Sequence, residues 1–130
     1  MSEFRFLGKK ASEPTDTVDL IEWRGERILV RLDCAEFSSL CPVTGQPDYA
    51  NILIEYVPDK HIAETKSVKL YLWKYRNARA FNEVLIDTIA TDLFGQIKPL
   101  WLRITGRFNV RGGISVTATA ERGEKDYRLA

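Results

Sequence analysis

The amino-acid sequence predicts an α+β domain, in which a four-stranded antiparallel sheet carries two helices on one face. Three observations lead to this prediction. Apolar and polar residues alternate in two segments of the first half, an apolar residue recurs every four positions in the middle, and two further alternating segments follow around an Arg-Gly-Gly turn. Strands that meet at a short glycine-containing turn are antiparallel neighbours, so the last two segments should form a hairpin.

The first two strands are predicted at residues 27–34 and 50–58. In the first, apolar residues occupy alternate positions. The second is rich in β-branched and aromatic residues, and Pro58 ends it. Residues 1–20 are polar and irregular, so we expect an N-terminal arm ahead of a single domain at residues 21–121.

The middle of the chain predicts a helix at residues 81–98, which Pro99 ends. One apolar stripe marks its buried face, formed by Leu85, Ile89, Leu93 and Ile97. Residues 65–77 are ambiguous, because their apolar positions fit both a strand and one face of a helix.

The last two strands are predicted at residues 100–108 and 114–121, and residues 122–130 form a charged C-terminal tail. The two helices should cover one face of the sheet. The other face would stay polar or pack against another subunit, since it would carry Glu55, Arg103 and Thr117.

Composition narrows the classes of function. The 130 residues include 19 basic and 18 acidic side chains, for a net charge of +1, so charge alone does not indicate a nucleic-acid partner. No apolar run approaches the roughly 20 residues that span a bilayer, and the start of the chain lacks the apolar core of a secretory signal. We therefore expect a cytoplasmic protein that binds neither membranes nor nucleic acid directly.

The two cysteines and the single histidine argue against a metal site. Cys34, Cys41 and His61 together fall short of a closed four-ligand zinc site, and two cysteines do not make a disulfide scaffold. His61 is expected in a solvated loop. We predict no metal, and a cysteine–histidine catalytic pair would have to use this one histidine.

Residues 37–48 are the candidate reactive segment. Cys41 lies in a stretch interrupted by Pro42, Gly45 and Pro47, which indicates a rigid turn or loop, and Asp48 follows. A thiol on such a loop with a carboxyl group close in sequence favours a nucleophile over a packing residue. Cys34, on a predicted strand, is expected to be a small buried apolar residue.

Three separated segments resemble the QueF family of NADPH-dependent nitrile reductases of queuosine biosynthesis. The first is Cys41 to Asp48, the second is Glu64 to Tyr71, and the third is Arg111 to Ser115. The likeness covers residues 20–120 in the family's order and spacing. The second segment is the family's most specific motif. The family has Ser or Leu where this chain has Thr65, and threonine keeps the hydroxyl of serine.

The resemblance implies the tunnelling fold, a β-β-α-α-β-β unit, and it resolves the ambiguous stretch after Lys66 as a helix. In this family the sheets join around a ring. The resemblance therefore implies a ring-shaped homo-oligomer, typically a decamer of two stacked pentamers, with active sites at subunit interfaces.

The resemblance also implies the chemistry. In the family that this chain resembles, the substrate is 7-cyano-7-deazaguanine, and two NADPH reduce its nitrile to the aminomethyl product. Cys41 adds to the nitrile carbon to form a thioimide, which is easier to reduce than a nitrile. Asp48 corresponds to the family's proton donor, although a turn aspartate also commonly caps its own backbone.

The family's binding residues carry over to two sets of positions. Carboxylates suit the N–H donors of a deazaguanine edge, and an aromatic ring can stack on the base. The implied substrate contacts are Ala63, Glu64, Thr65, Phe81, Asn82 and Glu83. A cation beside a glycine turn suits phosphate, and with no Gly-x-Gly-x-x-Gly in the chain a Rossmann domain is not expected. The implied NADPH contacts are Thr65, Lys66, Lys69, Arg111 and Gly112.

Two alternatives remain open at this stage. An archaeosine-type amidine synthase on the same scaffold would need the cysteine but no NADPH, and the intact Glu64 to Tyr71 motif argues against it. A catalytically weakened purine-binding relative would bind ligand without consuming NADPH.

Asn82 departs from the family, which has a histidine before Glu83. Asparagine forms hydrogen bonds but carries no proton at neutral pH, so we expect substrate binding to be retained and turnover or its pH profile to differ from the family's. Initial rates of Asn82→His across the pH range test this. Unchanged rate and unchanged profile would contradict the expectation.

Overall fold

The structure is a computed structural model that describes residue 4 and residues 13–128. Eight main elements follow one another along the chain. In order they are β1 (Leu20–Glu22), β2 (Val30–Leu40), β3 (Pro47–Val57), β4 (His61–Ala63), α1 (Thr65–Trp73), α2 (Asn82–Ile97), β5 (Trp101–Phe108) and β6 (Thr117–Gly123).

The main sheet has four antiparallel strands in the order β2-β3-β5-β6, and both helices pack on the same face of it. Apart from the two short strands, the element order is β-β-α-α-β-β. The predicted α+β fold, with two helices and an antiparallel sheet, is therefore confirmed. Among the described residues no helix is long and apolar enough to cross a membrane.

The core lies between the sheet and the helices. On β3, Ile52, Ile54 and Tyr56 point inward at alternate positions and are fully buried. The four residues of the predicted stripe on α2 are also buried, so that prediction is confirmed. Gly106 allows α2 to approach β5 closely, because a Cβ atom there would lie 2.4 Å from Ile86 Cδ1.

A second, two-stranded sheet was not predicted. β1 pairs with β4 in the antiparallel direction, which places His61 opposite Glu22 in a strand and not in the expected loop. Two hydrogen bonds hold the segment before β1 on the helices: Val18 N–H donates to Gln96 Oε1 and Asp19 N–H to Ser67 Oγ, each at 2.8 Å. These partners are distant in the sequence, so the pattern of neighbouring residues does not predict them. Except for residue 4, residues 1–12 of the predicted arm lie outside the described residues.

The strand boundaries differ from the prediction around Cys41. β2 continues to Leu40 and β3 starts at Pro47, so the connecting turn spans only residues 41–46. A β-bulge between Cys34 and Phe37 adds one residue to β2 and lets the strand continue. The extension of β2 beyond Cys34 could not be predicted from the sequence, because the bulge shifts the alternation of apolar residues.

The ambiguous segment is helical, as the resemblance implied. α1 begins after Glu64, and a 3-10 turn at Lys74–Asn77 continues it without a break, since Lys74 keeps helical backbone angles. α2 ends with Lys98 in the left-handed conformation at φ 52°, directly before Pro99.

The sheet face opposite the helices carries a row of alternating charges across all four strands. Arg31, Glu55, Arg103 and Glu121 are successive cross-strand partners. Glu55 is 2% exposed, and its two oxygens accept hydrogen bonds from Arg31 Nε and Arg103 Nε, both at 2.9 Å. Burial acts to raise the pKa of Glu55, but the hydrogen bonds and charges of the two arginines outweigh burial and lower it.

Candidate active site

Cys41 is the first residue of the tight turn between β2 and β3. Its N–H donates to Gln46 O at 2.8 Å, and its carbonyl accepts from Gly45 N–H at 2.9 Å. Gly45 has φ +73°, and a Cβ atom there would lie 2.7 Å from the guanidinium of Arg79. The turn is therefore closed by two backbone hydrogen bonds and holds the half-buried thiol at one end of the sheet.

The turn favours the thiolate form of Cys41. Hydrogen bonds from the Thr44 hydroxyl and from the N–H groups of Thr44 and Val43 lower the pKa of the thiol, while burial and the charge of Asp48 act weakly in the opposite direction. A thiolate is the nucleophilic form of cysteine. Sequence reasoning missed Thr44, although a hydroxyl three positions after a cysteine in a proline-glycine turn is a usable signal.

Cys34 has the opposite environment. Burial, and secondarily the charge of Asp33, raise the pKa of its thiol to about 11. Cys34 therefore stays a neutral thiol at neutral pH, which fits the packing role expected from its place on a strand.

Asp48 lies in β3 close to the turn, and Arg111 pairs with it. Arg111 Nε lies 2.7 Å from Asp48 Oδ1, and the Asp48 side chain is 11% exposed. Arg111 Nη1 also donates to Gln46 Oε1 at 2.9 Å, and Nη2 donates to Pro47 O. A residue predicted to bind the cofactor is thus in contact with the predicted proton donor.

The backbone around Arg111 forms the predicted glycine turn. Arg111 N–H donates to Ile114 O at 2.8 Å, and the reverse bond is 2.9 Å. Gly112 and Gly113 have φ of 56° and 78°, which disfavour other residues.

Ser39 is a polar residue that the sequence did not single out. It is the cross-strand partner of Asp48, it is fully buried, and its hydroxyl has no hydrogen-bond partner among the described residues. Directly opposed side chains in a sheet have Cβ atoms about 5 Å apart. The Ser39 hydroxyl therefore lies close to the side chain of Asp48.

Phe81, Asn82 and Glu83 lie near the Cys41 turn. Leu40 N–H donates to Ala78 O at 3.0 Å, and Ala80 N–H donates to Leu40 O at 3.3 Å. The Phe81 ring is 60% exposed, so it does not fill the core and is available to stack on a ligand. Asn82 is the first residue of α2, and Phe81 is the N-cap of that helix.

The remaining predicted residues lie at the start of α1. Glu64 is buried and caps the helix: its Oε2 accepts from Lys66 N–H at 2.7 Å, and its Oε1 accepts from Ser67 N–H at 2.9 Å. Thr65 and Lys69 line an open groove of about 1160 Å³ between α1 and β2. Ala63, at the end of β4, is buried and donates its N–H to the Tyr56 hydroxyl at 2.9 Å.

The structure therefore separates the predicted site residues into two groups. The cysteine group lies at the turn and comprises Cys41, Asp48, Phe81, Asn82, Glu83, Arg111 and Gly112. The helix group lies at the start of α1 and comprises Ala63, Glu64, Thr65, Lys66 and Lys69. Within one chain the length of α1 and its 3-10 continuation, about 20 Å, separates the start of α1 from the residues beside the Cys41 turn.

Exposed apolar side chains gather around the cysteine group. Of the seven large apolar residues that are exposed among the described residues, six lie in the turns and element ends near Cys41. They are Val43, Tyr49, Phe81, Val84, Val110 and Ile114. A concentration of this kind is typical of a surface that binds another molecule.

Comparison with known proteins identifies close relatives. Residues 47–127 match the family model of QueF-like proteins. Two relatives carry the name NADPH-dependent 7-cyano-7-deazaguanine reductase. The protein of Syntrophus aciditrophicus is 42% identical over 93% of this chain and 87% of its own length, and that of Halorhodospira halophila is 43% identical over 85% and 96%.

A solved structure shares the fold. The apo form of the archaeosine synthase QueF-Like matches with a TM-score of 0.69, over 74% of this chain and 94% of that chain. The sequences are 24% identical, so this likeness concerns the fold alone.

The role of Thr44 can be tested through the reactivity of Cys41. Thr44→Val should raise the pKa of the thiol, because it removes the hydroxyl hydrogen bond that lowers it. Loss of one such hydrogen bond should lower the rate of Cys41 alkylation at pH 7 by roughly threefold to tenfold. Iodoacetamide kinetics across pH, in a Cys34→Ala background, measure the change. Thr44→Ser is the matched control and should keep the rate, and equal rates for the valine and serine variants would contradict the assignment.

Proposed function

Because the chain belongs to the family of QueF-like proteins, we propose that it is an NADPH-dependent 7-cyano-7-deazaguanine reductase that acts through Cys41. It reduces the nitrile of its substrate to an aminomethyl group in queuosine biosynthesis. The observation that supports the role of Cys41 is its turn, which lowers the pKa of a thiol that the charge of Asp48 also reaches.

The first step is addition of the Cys41 thiol to the nitrile carbon. A new S–C bond forms, one π bond of the nitrile opens, and the thiol proton ends on the nitrile nitrogen, so a thioimide results and no group leaves. Asp48 carries the proton between sulfur and nitrogen. The chain has no histidine at this turn, and Asp48 is the carboxyl group whose charge reaches the thiol.

The reduction needs a hydride source. Bound NADPH supplies hydride, and two equivalents are needed because conversion of a nitrile to an aminomethyl group takes four electrons. The cations and hydroxyl of the helix group fit the phosphates of this cofactor, since Lys69 and Thr65 are exposed along an open groove. In our proposal Thr65, Lys66, Lys69, Arg111 and Gly112 hold it.

The deazaguanine ring is held by contacts of two kinds. Phe81 offers an exposed ring for stacking, and the exposed Glu83 carboxylate can accept N–H groups of the base. Glu64 also belongs to this set, and although each of its oxygens already accepts one backbone N–H, a carboxylate oxygen can accept a second hydrogen bond. Ala63, Thr65 and Asn82 complete the proposed set.

The distance of about 20 Å between the two groups is longer than a single base can bridge. We therefore propose that the cysteine group of one subunit and the helix group of another form each site. Two features support a homo-oligomer. β2 and β6 are the two edges of the main sheet, so edge-to-edge pairing of copies can close a ring, and six exposed apolar residues surround the Cys41 turn.

Further parts of the proposal rest on the sequence and on the family. They are a decamer of two pentamers, a catalytic domain at residues 21–121 between an arm and a tail, a cytoplasmic location, and the lack of direct nucleic-acid binding. The archaeosine-type alternative has weaker support, because its representative shares only the fold while the relatives of 42–43% identity are named as reductases.

The direct test of the function is consumption of NADPH in the presence of 7-cyano-7-deazaguanine. We expect absorbance at the reduced-nicotinamide band to fall with the native chain and to stay constant with Cys41→Ala, since the nucleophile is gone. Cys34→Ala is the matched control and should retain most activity. Absence of NADPH oxidation by the native chain would defeat the reductase proposal.

The shared site can be tested by mixing inactive subunits. Cys41→Ala removes one group and Glu64→Ala the other, so each homo-oligomer should be inactive. Randomly mixed oligomers at equal ratio should recover about one quarter of the native activity, because one quarter of the interfaces combine two intact groups. NADPH consumption after co-refolding gives the readout, and far-UV circular dichroism checks that Glu64→Ala keeps α1. Mixtures that stay inactive would place both groups in one chain.

A further inference from the structure

We infer that Arg111 is a positioning residue for the addition step, in which it holds Asp48 and the Cys41 turn in place before any reduction occurs. This inference rests on the proposed function of Cys41. It differs from the cofactor role implied for Arg111 by resemblance, because it acts in a step that needs no NADPH.

The contacts of the guanidinium support this role. Three of its nitrogens reach three acceptors on consecutive residues: Asp48 Oδ1, Gln46 Oε1 and Pro47 O. The planar fork of an arginine suits such a set, whereas a lysine offers a single point of charge. Gln46 is the last residue of the Cys41 turn, and Pro47 and Asp48 are the first two residues of β3.

One further hydrogen bond links the contacts of the Arg111 guanidinium to Cys41. Gln46 accepts the Cys41 N–H through its backbone oxygen at 2.8 Å, while its side chain accepts from Arg111. The backbone of the Arg111 loop is itself held, since Asn109 N–H donates to Tyr49 O of β3 at 2.9 Å. Arg111 therefore connects the end of the β5–β6 hairpin to both groups that carry the addition.

The positive charge of Arg111 has a second effect. The negative charge of Asp48 disfavours the Cys41 thiolate, and the guanidinium at 2.7 Å lies where it offsets that charge. Arg79, whose guanidinium lies beside Gly45, is the cation on the other side of the turn. Loss of Arg111 should therefore both loosen the turn and make the thiolate less favourable.

The test is the rate of covalent addition without NADPH. Intact mass spectrometry follows the adduct of the protein with 7-cyano-7-deazaguanine, whose added mass is that of the whole nitrile because nothing leaves. We expect Arg111→Ala to slow adduct formation about tenfold, as loss of charged hydrogen bonds predicts, and to shift its profile toward higher pH. Arg111→Lys should recover part of the rate, because it keeps the charge without the fork.

Two controls make the outcome decisive. Arg24→Ala should form the adduct at the native rate, since Arg24 pairs with Glu22 at the surface with its side chain 81% exposed. Alkylation of Cys41 by iodoacetamide, in a Cys34→Ala background, should shift toward higher pH in Arg111→Ala and shift less in Arg111→Lys, which keeps the charge. Circular dichroism confirms that both variants fold.

The two hypotheses fail in different ways. In Arg111→Ala the adduct could form at the native rate and with the native pH profile while NADPH consumption falls. That result would overturn the inference and leave Arg111 as a cofactor contact. A native chain that forms no adduct would overturn the nucleophilic role of Cys41 itself, and the inference with it.

Discussion

The arrangement around Cys41 depends on the register of the β2–β3 hairpin. Leu40 pairs with Pro47 and Ser39 with Asp48, and this register holds because Ile52, Ile54 and Tyr56 on β3 must face the helices. A slip of one residue would turn the whole inward set of β3 to the opposite face. Asp48 belongs to the same row of alternate positions on β3, so core packing also decides on which face of the sheet its carboxyl group lies.

The Cys41 turn shows how backbone and hydroxyl hydrogen bonds can lower the pKa of a cysteine without a neighbouring histidine. Thr44 and the backbone of the turn donate hydrogen bonds to the sulfur, and these outweigh burial and the charge of Asp48 in setting the pKa of the thiol. Cys34, seven residues earlier, has the opposite shift, because partial burial and then the charge of Asp33 raise the pKa of its thiol. The pKa of the same residue type is therefore lowered or raised according to the hydrogen bonds and burial that its backbone position provides.

Much of the fold could be predicted from local patterns. The stripe on α2, the alternation in β3 and β5 and the glycine turn after Arg111 are each decided by neighbours in the sequence. The β-bulge in β2 and the β1–β4 pair could not be predicted, because the bulge breaks the alternation and β1 gains its partners from residues about 40 positions away. The same holds for the buried hydroxyl of Ser39, which has no local signature.

For the site, the sequence by itself determined which residues have the required chemistry. A cysteine and an aspartate bracket a rigid turn, and carboxylates, cations and an aromatic ring occur in the family's motifs. Only the tertiary structure decided how these groups are combined. It pairs Arg111 with Asp48, uses Glu64 as a helix cap, and puts the length of α1 and its 3-10 continuation, about 20 Å, between Glu64 and the residues beside the Cys41 turn. The physical reason is that residue type fixes what a side chain can donate, accept or attack, while sheet register and helix length fix which partners lie within a few ångströms.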